Sequence, residues 1–119
     1  GENGIRYTLG EDGLYYPDIR LPEGTHYEIG RYGRMRGEYL KEHRRSLYME
    51  LLLSGKLNEY LYQTDEECHQ MIKRLVEQMK TKQGVTEQMK SENQMQWVGM
   101  MNNIRHCAEE VVLRDIVYL

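Results

Sequence analysis

The stretch Leu57–Gly84, LNEYLYQTDEECHQMIKRLVEQMKTKQG, decides the fold. At 100° per residue, Leu57, Leu61, Thr64, Cys68, Ile72, Leu75 and Met79 stay in phase, so the spacing predicts one long amphipathic helix ended by Gly84. Thr64-Asp65-Glu66-Glu67 also has the form of a capping box, which favours a fresh helix start. Continuous burial outweighs that local signal, and a continuous helix with a bend near Gln63 is expected.

Two further helices flank this one. Upstream, Tyr32, Tyr39, Leu40, Leu47 and Leu51 share one face, and Gly55 after Ser54 is a natural stop. Downstream, Thr86 can cap a third helix, with Glu87 near the positive end of its dipole. There Trp97, Met101, Ile104, Ala108 and Val111 are spaced four, three, four, three, a heptad seam. The second and third helices are each about 27 residues, roughly 40 Å. A short turn joins them, so they should lie antiparallel.

Residues 1–30 differ. They hold both prolines and six of the eleven glycines. Ile5–Leu9 and Leu14–Tyr16 are β-prone around GEDG, which predicts a small hairpin. From Asp18 to Gly30 the chain reads as an extended wrap, anchored through Ile19, Leu21, Tyr27 and Ile29. Ile116–Leu119 is β-prone as well and could join the hairpin. The expected fold is mainly α in a single domain over 1–119, with hairpin and wrap at 1–30 and a helical core at 31–119. Three long helices form a bundle or antiparallel hairpin, and a C-terminal strand closes the small sheet.

Composition limits function more than it suggests it. The chain has 119 residues, 29% charged, and a net charge of −3. A non-specific nucleic-acid binder is usually basic. No apolar run approaches the ~18–20 residues of a membrane span. No leader is legible, and Cys68 and Cys107 are far apart, so a reducing cytoplasm with free thiols is expected. Cys68-His69 and His106-Cys107 suit zinc in type. Helix neighbours diverge by about 100°, however, so neither pair can readily aim at one ion. No nucleophile elbow, recombinase-like serine or tyrosine setting, or phosphate loop is present; GRYGRMRG (30–37) lacks the Lys-Ser/Thr that a phosphate loop needs. No enzyme, cofactor or small-molecule substrate is expected.

Two stretches remain as binding candidates. RYGRMRGEYLKEHRR (31–45) holds six basic residues against Glu38 and Glu42. Arg34, Lys41, Arg44 and Arg45 are candidate phosphate contacts; a solvated face supported by i,i+4 pairs is the plainer reading. A recognition helix at Leu57–Gln63 would carry Glu59 and no basic residue, which disfavours a helix-turn-helix. In ENQMQWVGMMNNIR (92–105), Gln96 and Asn103 face away from the seam, towards solvent or a partner. Asn93 and Gln94 lie one turn before Trp97. Extending the heptad backwards puts Gln94 at a core position, where a buried amide would lock helix register.

YLKEHRRSLYMELLLSGKLNEYL (39–61) and LVEQMKTKQGVTEQMKSENQMQWVGMMNNIR (75–105) resemble the TnpV family of transposon-encoded proteins. YYPDIRLPEG (15–24) and the Val117-Tyr118 ending fit it too. Such proteins occur on mobile elements of Gram-positive gut and clostridial bacteria. The resemblance implies an accessory or excisionase-like DNA-associated role and transfers no catalytic residue. Excisionases are usually basic, whereas this chain is acidic. Transposon-end DNA or a recombinase would then be the partner. The alternative is a protein-interaction or assembly module, including a homo-oligomer, built on the seam and eight methionines.

Overall fold

A computed structural model describes the backbone of residues 6–9 and 15–18 and the whole of residues 27–119. β1 (Arg6–Leu9) and β2 (Tyr15–Asp18) pair antiparallel, with Arg6 opposite Asp18 and Leu9 opposite Tyr15. The turn expected at GEDG and the anchors Ile19 and Leu21 lie outside the described residues.

The helices carry the fold, and the expected architecture needs correcting. Among the described residues, five α-helices and a π turn replace three long helices and a closing strand: α1 (Arg31–His43), α2 (Arg45–Leu53), α3 (Leu57–Gln83), α4 (Glu87–Glu92), α5 (Gln94–Val112), then Leu113–Val117. The first and third expected helices each break once. Arg44, with φ −135° and ψ 53°, separates α1 from α2. Asn93, with φ −144° and ψ 79°, separates α4 from α5. The middle helix runs unbroken, and its Thr64 and Asp65 are buried mid-helix, so they do not start a new one.

Both glycine stops hold for a conformational reason. Gly55 (φ 76°) and Gly84 (φ 70°) adopt the left-handed region that other residues avoid. After each, the next N–H reaches back into the last turn, Lys56 to Leu51 and Val85 to Lys80, both at 2.9 Å. This satisfies carbonyls the helix leaves unpaired. Val85 then buries its side chain against Val76 and Met79.

The C-terminal residues do not form a strand. Leu113–Val117 is a π turn, closed by Tyr118 N–H on the Leu113 carbonyl at 2.8 Å. Val117 is fully buried with Tyr32, Cys68 and Val112. β-branched residues favour a strand only where a partner strand is available. Here the helical faces bury Val117 instead.

Helix α3 is the spine. α1 packs on its first half and α5, antiparallel, on its second. Three cores result. Leu40, Tyr48, Leu57 and Leu61 join α1, α2 and α3. Tyr32, Cys68, Val112 and Val117 join α1, α3 and the C-terminal turn. Val85, Met101 and Ile104 join α3 to α5. On α5 the buried positions are Met101, Ile104, Ala108 and Val112. The seam thus follows the predicted heptad until its last step, where it drifts one residue towards the straight-helix period.

Candidate functional site: the basic junction and its groove

The α1–α3 crossing is unusually close, and glycines permit it. A Cβ on Gly33 would stand 2.6 Å from the Leu61 carbonyl oxygen and 2.5 Å from Ile29 Cγ2. One on Gly37 would stand 3.0 Å from Leu61 Cδ1. Gly33 thus serves backbone approach, while Gly30 and Gly37 make room for the Asp65 and Leu61 side chains.

Asp65 fixes this crossing. It is 3% exposed, and its Oδ1 accepts from the N–H groups of Tyr32 and Gly33, both at 3.1 Å. The carboxylate caps the start of α1, where unpaired N–H groups and the helix dipole favour negative charge. Its Oδ2 lies 3.3 Å from His69 Nε2. Burial first, then the Glu109 charge, holds the Tyr32 phenol above its usual range.

Arg36 is the second buried charge, at 6% exposed. It donates to Tyr60 Oη at 3.2 Å and to the carbonyls of Val117 (3.1 Å) and Leu119 (3.4 Å). It thereby ties α1 and α3 to the C-terminal turn. Asp65 and Arg36 were both missed as site residues. The signal was present: Asp65 is in phase with Leu61 and Cys68, and Arg36 with Tyr32 and Leu40. A charge on an apolar helical face needs specific partners.

Beside this crossing lies a groove of about 750 Å³ between α1, α2 and the start of α3. Ile29, Met35, Leu57 and Leu61 give it an apolar floor, and Tyr39, Tyr48 and Tyr118 give it aromatic walls. Arg34, Glu38, Lys41 and Glu42 also line it.

The four candidate phosphate contacts are not equivalent. Arg34 is exposed and donates to the Ile29 carbonyl at 3.2 Å. Lys41 is half-buried, 3.8 Å from Glu38 and 5.6 Å from the Tyr48 ring. Burial first, and the Arg45 charge second, lower its proton affinity, so the structure brings Lys41 and Arg45 together. Arg44 is exposed and donates to the Leu119 carbonyl at 3.0 Å. Among the described residues, no carboxylate pairs with Arg44 or Arg45.

The amide stretch lies away from this groove, on the α3–α5 arm. Asn93 is a helix cap: its Oδ1 accepts from Gln96 N–H at 3.2 Å and its Nδ2 donates to Gln96 Oε1 at 3.2 Å. Gln94 is exposed at the first position of α5, so the expected buried register lock is corrected. The helix restarts at Asn93, which leaves Gln94 at the open end of α5, in the seam's phase but exposed. Gln96 and Asn103 are exposed. Trp97 is half-buried, with Lys90 4.7 Å from its ring and its Nε1 left without a hydrogen-bond partner among the described residues.

The cysteines sit apart in character. Cys68 is fully buried and Cys107 half-buried. Burial, reinforced by Asp65, pushes the Cys68 thiol up to about 11. Among the described residues no cluster of three or more His, Cys, Asp or Glu could hold a metal ion, and no helix is long and apolar enough to cross a membrane.

The family model for transposon-encoded protein TnpV matches residues 6–117. The chain belongs to the TnpV family. No curated protein and no solved structure matches it. The match takes in the Asp65-capped crossing, the Arg36 clamp and the basic junction, so all three lie inside the TnpV unit.

Proposed function

We propose that this TnpV protein is a non-enzymatic accessory factor that acts in the cytoplasm on transposon DNA. Its contact surface is the α1–α2 junction: Lys41, Arg44 and Arg45, with Arg34 further along the groove. The observation that carries the reading is the charge imbalance there. Arg44 and Arg45 are adjacent and exposed, and no described carboxylate neutralises either, while Lys41 one turn before Arg45 lies 3.8 Å from Glu38. Adjacent like charges such as Arg44 and Arg45 are stabilised by a bound polyanion. Three or four phosphate contacts give modest, strongly salt-dependent affinity. That suits a factor working beside a recombinase better than one finding a site alone.

A gel shift with DNA from the element's ends, at two salt concentrations, tests this. Binding at low salt that weakens steeply as salt rises is expected. Absence of a shift at low salt would sink the DNA reading.

A second reading is an assembly module, in which a protein partner or a second copy covers an apolar face. Leu53 is 79% exposed and Met95 87% exposed, at the end of α2 and the start of α5. Light scattering on the purified chain discriminates; a strict monomer at high concentration counts against self-association.

A further inference from the structure

At the far end of the α3–α5 arm, one short helix is held by two side chains. None of the six residues of α4 is buried, and its main neighbour is α5. Its side-chain hydrogen bonds are internal. Thr86 Oγ1 accepts from the Met89 N–H at 3.2 Å, Gln88 donates to Glu92 at 3.1 Å, and Ser91 donates to the Gln88 carbonyl at 3.0 Å. Only Met89 and Lys90 are seen to reach outward. Met89 packs, half-buried, against the core of Val85, Met101 and Ile104. The Lys90 ammonium lies 4.7 Å from the centre of the Trp97 ring. A backbone break bounds the segment at each end, Gly84 with φ 70° and Asn93 with φ −144° and ψ 79°.

Trp97 gives the closed arrangement a cost. Its Nε1–H is sealed from solvent and has no acceptor among the described residues. A buried donor without a partner loses the hydrogen bond that water would supply. A six-residue helix is also far short of the roughly twelve residues that an isolated helix needs. Against these stand one exposed cation–π contact and one flexible methionine, both weak. We infer that α4 is a latch over Trp97: it lifts from α5, pivoting at Thr86 and Asn93, while α3 and α5 keep their packing. Lifting lets the indole turn its N–H to water, which removes the cost. It stops at Val85, which is 5% exposed and stays seated beside Met101 and Ile104. The open state presents the ring of the chain's one tryptophan and the recess that Met89 had filled. Lys90, exposed and set over the ring, is the catch. The inference does not rest on the DNA reading, because no residue of the basic junction takes part.

Native-state hydrogen exchange of the full chain, followed by NMR over urea concentrations below the unfolding transition, tests the latch. Trp97 supplies the single indole N–H signal. Lifting one short helix exposes little surface, so indole exchange should be nearly independent of urea. The backbone amides of Cys68 and Ile104, both fully buried, should accelerate with urea as global unfolding does. Lys90→Gln should raise the indole exchange rate about three- to fivefold, the worth of one exposed cation–π contact, and leave Cys68 and Ile104 unchanged. Lys90 is exposed, so the variant keeps the core intact. Acrylamide quenching of Trp97 fluorescence should rise in the same variant. An indole rate that climbs with urea in step with Cys68 and Ile104 overturns the inference. So does an indole rate that Lys90→Gln leaves unchanged or slows.

Discussion

The two halves of α3 are packed by different means. Its first half meets α1 backbone to backbone at Gly33, with the Leu61 side chain against Gly37 and Asp65 bonded to two α1 amides. Its second half meets α5 through longer, softer side chains: Val76 and Met79 against Met100, Met101 and Trp97, several of them half-buried. The first contact admits one geometry. The second is a methionine-rich seam, which tolerates rearrangement because the thioether side chain is unbranched and flexible. Polar groups buried with their partners tie the first junction to one arrangement, and apolar contact alone does not do the same for the second. Substitutions should therefore cost most at the α1–α3 crossing and least at the far end of the arm.

The largest effect is expected from Gly33→Ala. The new Cβ would meet the Leu61 carbonyl, which is backbone and cannot swing aside. The helices must separate, at a cost of about 3 kcal/mol. Urea unfolding followed by circular dichroism measures it. A loss below 1 kcal/mol would show that the crossing is not rigid.

Asp65→Ala comes next. It strands two buried α1 amides and should cost about 2–3 kcal/mol. Hydrogen exchange should localise the loss to Tyr32 and Gly33. Asp65→Asn, which keeps an acceptor oxygen, should recover part of it. Uniform loosening along the whole chain would contradict a local cap.

These two positions also show what was legible in the sequence. The glycines of GRYGRMRG were visible, but their use in a helix crossing depends on Leu61, 28 positions from Gly33. Asp65 read as part of a local capping box, and it caps a helix start 32 and 33 residues upstream instead. Periodicity sees neighbours within a turn or two, so it found the α5 seam and the length of α3. It missed the breaks at Arg44 and Asn93, where neither Gly nor Pro marks the chain. The C-terminal turn was misread because its β-prone residues are buried among helices and its carbonyls are held by Arg36 and Arg44, partners more than 70 residues away. The basic residues of the junction were legible as a charge run. Which of them are tied up by neighbours was not.

Cys68 extends the comparison to pH. Its folded thiol is raised to about 11 from a usual 9, so the folded state holds the proton more tightly than the unfolded one. The resulting stability is complete below about pH 9 and is lost as pH rises towards 11. At 1.36 kcal/mol per pKa unit it amounts to at most about 3 kcal/mol. Cys68→Val should flatten that part of the stability profile. A profile with the same slope in both proteins would remove Cys68 as its source.

The smallest effects are expected at the α4–α5 break, where the two adjacent amides should separate cleanly. Asn93 accepts from the Gln96 amide and starts α5, so Asn93→Ala should cost about 1 kcal/mol, the usual loss for a helix cap. Gln94 is exposed at the first position of that helix. Gln94→Leu should therefore change stability by less than about 0.5 kcal/mol, as surface substitutions commonly do. Had Gln94 lain in the seam, leucine there would have added apolar contact and raised stability while loosening register. The sign of the Gln94→Leu effect thus tests where α5 begins. A clear gain in melting temperature would mean that the seam runs through Gln94 and that α4 and α5 are one helix in solution.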